Sequence, residues 1–552
     1  MPISAELLIR NGLFPETLPS VYTARAIWAA LPVVATPYAV RGPAVGQLCN
    51  YDSSKRGGLR RMFAVPHPLF IRDQGVFFER HWTTLEACFA AAPGSTSHFI
   101  MDGAGYRHIR ITPHSELPRI RLTSLSRFTF CLTADVSRCY YSIYTHSIPW
   151  AIHGKAASKL DTNSNSATVF GNRLDYAVRQ AQSRQTLGIP VGPDASKVIA
   201  EIVMSGVDKR MIELSGGQPP TYVRHVDDYW IGGHSHAECE RYLANLRLAL
   251  NDFSLDINEL KTRIVSTKLV FGEKWPSQIK DAITQKFLPY RDADADSVAV
   301  LGMIVEQAVE NNDDGIIKRA IRVFDRLRLW HRHWELLEHF LAQCAVQFPH
   351  SFDYVARVVA WRIRTGTPIN RDLWIDIART TAVRDGSLGR DSEVCWAIWL
   401  LKELGSRLPR KITDVIAEHA SPLVLAFLVH FARHRMASDR RLIEKLRDRV
   451  EGDCFAGEYW PLTLELYHLH EEDANWAAAG TVPVLRSLHE NRISIIDWGA
   501  LPRVFETDGP ARRRPPSRAI ENIGSDYAED EEEEEHEDED ADLGELGDEF
   551  PC

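Results

Sequence analysis

The stretch TYVRHVDDYWIGG, residues 221–233, sets two adjacent carboxylates, Asp227 and Asp228, inside a run that otherwise reads as strand and turn. Like charges side by side among Val, Tyr, Trp and Ile repel each other, and partial burial raises the cost for both. Either the pair lies on an exposed turn, or a cation neutralises it. Magnesium suits the second case, because it is held by one or two carboxylates and completed by water and phosphate oxygens.

A third carboxylate favours the cation. In FTFCLTADVSRCYYSIYTHSIPW, Asp135 ends an alternating run of Phe128, Phe130 and Leu132. By itself Asp135 also suits a helix cap. A strand ending in Asp beside a hairpin bearing Asp-Asp is expected to assemble a two-metal site, which clamps the attacking and leaving oxygens of an in-line displacement.

The rest of the chain divides by pattern. Up to about residue 300, strand-like alternation mixes with helices and Gly/Pro turns such as KRGGLRR, GIPVGPD and SGGQPP. From about 300 to 500 apolar residues fall at helical spacing, as with Ile317, Ile321 and Phe324, then Trp330, Trp334 and Leu337. Ser421–Pro422 reads as a helix start and Gly405 as a helix stop, and eight to ten amphipathic helices are expected there. After about 505 there is little to bury, so a disordered acidic tail is expected. That tail reads either as a solvated extension or as a nucleic-acid mimic competing for a basic groove.

Charge bears on the partner. The 552 residues carry a formal charge of -10, but residues 526–549 hold 16 of the 74 acidic residues and no Lys or Arg. The remainder has 58 acidic residues against 64 Lys and Arg, a formal +6 compatible with a polyanionic partner. Nine scattered cysteines with no CxxC pair suit free thiols in a reducing compartment. The first residues show no basic region followed by an apolar run, and the longest apolar window is PLVLAFLV, far short of the ~20 residues that span a bilayer. The expectation is a cytoplasmic protein without membrane contact.

At this point the chain resembles a family. Asp135 with Tyr140 five residues on, LGIPVGPDASKV, RHVDDYWIG and LDINELKTRI are similar, in order and spacing, to the consecutive palm motifs A to D of reverse transcriptases. The wider wording, DVSRCYYSIYTHSIPWAIHGK and GIPVGPDASKVIAEI, most resembles the bacterial unknown-group and abortive-infection (Abi) reverse transcriptases, in which a helical-repeat domain follows the polymerase. The resemblance implies an α+β fold with right-hand-like fingers and palm over residues 51–300, after an N-terminal extension over 1–50. An all-α helical-repeat domain over 301–505 and the tail over 506–552 complete it.

The resemblance also implies roles. Asp135, Asp227 and Asp228, with the Val136 backbone, would hold two magnesium ions, manganese being the alternative. Tyr140 would lie under the sugar of the incoming nucleotide and leave no room for a 2'-hydroxyl. Pro190, Gly192 and Ser196 keep the family spacing: Gly192 would let the backbone approach a nucleotide and the helix starting after Pro193 would steady the template or nascent strand, a plain structural turn being the alternative. Lys261 would stabilise or protonate the pyrophosphate leaving group. Upstream, SSKRGGLRRMFAVPHP reads as a basic hairpin turning at Gly57 and Gly58. The family's fingers hairpin grips the triphosphate, which would put Arg61 with Lys55, Arg56 or Arg60 on the phosphates; guanidinium forks chelate such oxygens.

Three positions depart from the family: His225 replaces the motif C tyrosine, Val191 a common glutamine and Cys139 a common phenylalanine. They bear on template and primer handling more than on chemistry, and His225 is expected to pack or bond locally. The function implied is an anti-phage reverse transcriptase adding deoxynucleotides, its synthesis untemplated or guided by a small RNA and its start a protein hydroxyl. Deoxynucleoside triphosphates, the DNA product, a non-coding RNA and a second copy of the chain are the expected partners. The alternatives are a retron or group II intron-like polymerase copying its own RNA, and a non-catalytic helical nucleic-acid-binding scaffold.

Overall fold

The computed structural model describes residues 3–31, 37–40, 45–101, 107, 109–217, 219–269, 275–287, 295–450, 456–468, 491 and 493–500. The expected acidic tail lies outside them.

A basic hairpin comes first. Strand β1, Cys49–Ser54, pairs antiparallel with β2, Arg60–Val65, with Asp52 opposite Met62 and Ser54 opposite Arg60. Gly57 at φ +66° and Gly58 at φ +76° make the turn, a left-handed conformation that glycine adopts without steric cost. The palm sheet has the strand order β4-β5-β3-β6, all antiparallel, with β3 Phe130–Ala134, β4 Tyr222–His225, β5 Asp228–Gly233 and β6 Arg263–Ser266. Central β3 reads Phe-Cys-Leu-Thr-Ala and is flanked on both edges: Leu132 lies between Ile231 and Ile264. Helix α1, Asp194–Leu214, starts after Pro193 and packs its apolar length, Val198, Ile202 and Val203 among it, into the core.

From Gly315 to His468 the described residues hold nine α-helices and no strand. Among them are α2 Gly315–Arg326, α3 Asp391–Glu403, α4 Pro422–Arg433 and α5 Trp460–His468. The start and stop signals fall where the residues placed them. Ser421 is the N-cap of α4, and Gly405, at φ +64°, lies just beyond the C-cap of α3. One hydrophobic cluster runs from Ile3 through the palm to Ile496, so palm and helices share a core. The N-terminal segment threads through it: Tyr22 donates to the Leu423 carbonyl at 2.9 Å, and Thr23 N–H to the Ile495 carbonyl at 2.8 Å. The seven described cysteines are free thiols. Among the described residues no helix is long and apolar enough to cross a membrane.

Asp391 opens α3 with its carboxylate buried, accepting from Asp52 N–H at 3.0 Å and Ser421 N–H at 2.7 Å. Burial outweighs those two bonds and pushes its pKa from the ordinary 3.8 to about 7. The folded state therefore keeps a proton that the unfolded chain releases, so the stability this group contributes is fully present below about pH 4 and is lost as pH rises to 7. The thermal midpoint of the native chain minus that of Asp391→Asn should shrink as pH climbs from 4 to 7; a difference that is flat across this window would refute the burial argument.

Candidate active site

Register brings the three carboxylates together. Ala134 pairs with Tyr229, so Asp135, one residue beyond β3, lies across from Asp228 at the start of β5. His225 pairs with Asp228, which leaves Val226 and Asp227 as a two-residue turn between β4 and β5. The groups feel one another: burial first, then the charges of Asp227 and Asp135, hold the Asp228 carboxyl well above its usual range, while Lys261 and Arg121 pull it down. Lys261 reaches this neighbourhood because its loop is stitched to the end of β3. Asn258 N–H donates to the Asp135 carbonyl at 2.8 Å, Ser137 N–H donates to the Asp256 carbonyl at 2.9 Å, and Val136 bridges Ile257.

The turn itself is strained. Val226 has φ +50°, a left-handed backbone that a β-branched residue rarely adopts. Its surroundings hold it there: Val226 N–H donates to Ser97 Oγ at 2.6 Å, and its carbonyl accepts from Arg224 Nη1 at 2.9 Å. Arg224 is fully buried, its guanidinium forked onto Glu201 at 2.9 Å with two nitrogens and onto Asp208 at 2.8 Å through Nε. Tyr229 Oη also donates to Asp208, at 2.7 Å, and burial, ahead of the Arg224 charge, leaves that carboxyl raised. Glu201 and Asp208 stand seven residues apart on α1, two turns along one face. That spacing, with Arg224 two residues before the turn, is the signal that reading the motifs alone overlooked. His225 is buried, its Nδ1 2.9 Å from Thr96 Oγ1 and its ring edge-on to His114.

Next to the turn that carries Asp227 opens a cleft, lined by Arg61, Phe63, Tyr140, Val191, Gly192 and Val226 among others. Three segments build it. Ile189 N–H donates to the Tyr140 carbonyl at 2.8 Å, Ala64 N–H to the Val191 carbonyl at 3.0 Å, and Tyr141 Oη to the Met62 carbonyl at 2.9 Å. Gly192, at φ +113°, leaves no space for a side chain: a Cβ there would meet Pro15 at 2.9 Å and Phe63 at 3.0 Å. Tyr140 lies close enough to Asp227 and Arg61 to feel both charges, and burial above all raises its phenol.

The other residues of interest lie elsewhere. Pro190 and Ser196 are buried, and neither lines the cleft. Lys55 is buried at the hairpin turn. Arg56 faces Asp313 at 3.5 Å, and Arg60 is forked onto Glu393 and Asp52. Of the hairpin cations, then, Arg61 is the one that lines the cleft, while Arg56 and Arg60 turn to acidic partners, two of them in or beside the helices. Strand alternation explains the split between neighbours, because successive side chains leave β2 on opposite faces.

The donor set suits a hard cation: three carboxylates crowded at one tip, one of them destabilised as an anion by the others. Among the described residues no three or more His, Cys, Asp or Glu side chains form a ready-made metal cluster. Arg224→Met would leave Glu201 and Asp208 buried without their counter-charge, and should lower the unfolding free energy by about 3–5 kcal/mol in urea titrations. A loss under about 1 kcal/mol would mean the pair is not held by Arg224.

Comparison with known families agrees with this geometry. Residues 94–305 match the family model described as reverse transcriptase (RNA-dependent DNA polymerase), which takes in all three aspartates, Tyr140 and Lys261 and begins after the hairpin. No curated protein matches the chain. Among solved structures, apo telomerase from Candida tropicalis, truncated from its C-terminal domain, is similar at 14% identity over 44% of this chain and 56% of that one, with a TM-score of 0.29. Telomerase from Candida albicans with a fragment of telomeric RNA is similar at 12% identity over 69% and 64%, with a TM-score of 0.27. The chain spans less than two thirds of each of these structures. Over residues 94–305, then, the chain is similar to the reverse transcriptase family.

Proposed function

We propose that the protein extends a DNA strand from deoxynucleoside triphosphates as an anti-phage reverse transcriptase of the Abi-like branch, started from a protein hydroxyl and either untemplated or guided by a small RNA. The observation that carries the polymerase reading is the register that sets Asp135 across from Asp228, beside a cleft lined by Arg61 and Tyr140. The branch rests on the motif wording and on the helices that follow the palm.

In this reading Asp135, Asp227 and Asp228, with the Val136 carbonyl, hold magnesium or manganese. Bound there, the ions would favour the deprotonated primer hydroxyl and neutralise charge on the departing pyrophosphate. The chain's own groups do the rest. Arg61 binds the triphosphate as a guanidinium fork. Tyr140 packs under the sugar and excludes a 2'-hydroxyl, and Lys261 donates charge or a proton toward the leaving group. Gly192 lets the backbone approach the nucleotide. Pro190 and Ser196 act indirectly, by fixing the course of the chain into α1.

Purified protein with magnesium and labelled deoxynucleotides should yield polymer, and Asp227→Ala should yield none; equal polymer from both would end the proposal. Tyr140→Ala should admit ribonucleotides, lowering discrimination by about 10–200-fold, the worth of one small steric feature in a pocket. Unchanged discrimination would remove Tyr140 from the sugar site.

A further inference from the structure

The family match begins at residue 94, yet the hairpin over 49–65 supplies Arg61 and Phe63 to the cleft. What holds that hairpin is therefore a separate question. Its C-terminal end rests on the palm, through Met62 and Ala64. Its tip end meets the helical region.

There, three consecutive residues at the start of α3 grip it. β1 has a partner on one edge only, so the N–H groups of Asp52 and Ser54 point away from β2. Asp391 Oδ2 accepts the first and Ser392 Oγ the second, each at 3.0 Å. Glu393, 2% exposed, takes Arg60 with both oxygens, and Asp52 takes the same guanidinium at 2.9 Å from Nε. Ser392 Oγ donates to Glu393, which ties the two contacts into one unit. His350 Nδ1 lies 3.2 Å from the Ser54 carbonyl, and Arg56 faces Asp313 just before α2. The clamp on the tip is thus made by the helical region.

We infer that Glu393 is a positioning residue of the nucleotide cleft: by fixing Arg60 it sets the hairpin so that the adjacent Arg61 faces the cleft. The inference rests on the proposed polymerase reading for its kinetic consequence, and on the hairpin geometry for its structural one. Arg60 and Arg61 are neighbours on one strand, so rotation or fraying of the tip moves both. The hydrogen-bond partners described for Glu393, Arg60 and Ser392, are not among the residues that line the cleft. The helical region would thereby govern how well the cleft binds triphosphate without entering it.

The test compares the full-length native chain with Glu393→Gln, Arg60→Gln, their double variant and Arg60→Lys. Glu393→Gln keeps the size but removes the charge and one of the two acceptor oxygens that hold Arg60, and a native-like thermal midpoint shows that it folds. The KM for deoxynucleotide should rise about tenfold with kcat changed less than about threefold, the signature of lost ground-state positioning. The double variant should lose no more than either single one, because both changes break one contact. Arg60→Lys, which keeps the charge, should recover part of the loss. Amide hydrogen exchange over residues 49–65 should quicken in the same variants while the palm strands keep their protection. Polymer made by the native chain with an unchanged KM in Glu393→Gln would overturn the inference and leave the polymerase standing. No polymer from the native chain would sink the polymerase reading instead, and exchange would then decide: unaltered hairpin exchange in Glu393→Gln overturns the inference, and quickened exchange upholds the clamp.

Discussion

Everything at the active site depends on a repulsion that the sheet enforces. Pairing Ala134 with Tyr229 and His225 with Asp228 leaves the three aspartates no way to separate without breaking the central ladder. The chain meets that cost by surrounding the tip with fixed charge. Lys261 and Arg121 offset Asp228, while Arg224 is taken up by Glu201 and Asp208 and holds the Val226 carbonyl. A left-handed Val226 persists because Ser97 and Arg224 hold both sides of its peptide unit. Strain kept at such a point by over-determined bonding is what a preorganised site needs, since the geometry is set before substrate arrives.

The basic hairpin performs two tasks at once, and alternation lets it do so. One face gives Arg61 and Phe63 to the cleft, and the other gives Arg60 to Glu393. Because the palm and the helices share one apolar cluster, and because Tyr22 and Thr23 bond into the C-terminal part, the helical region is built into the body of the palm rather than tethered to it. The buried Asp391 makes that junction sensitive to protonation: its carboxyl, raised to about 7, sits on the edge of β1 that faces away from β2.

Local signals read well where the physics is local. Gly57 and Gly58 mark a turn needing positive φ, Pro193 precedes the first residue of α1, and Gly405 follows the end of α3. The alternation ending at Asp135 marks a strand end. Arg56 and Arg60 misled because a basic residue's partner is not written beside it: Asp313 and Glu393 lie more than 250 residues away along the chain. Glu201 and Asp208 were passed over because acidic residues at helical spacing usually face water, and only the packing of β4 on α1 places Arg224 between them.

By itself the sequence determined the kinds of element, the turns, and which residue types stand at the two strand ends, because propensity, alternation and glycine's freedom act within a few residues. The tertiary structure decided which charges meet. Ion pairing and burial depend on distances between segments far apart in the chain, so the same arginine chemistry became a cleft wall at Arg61, a structural fork at Arg60 and a buried support at Arg224.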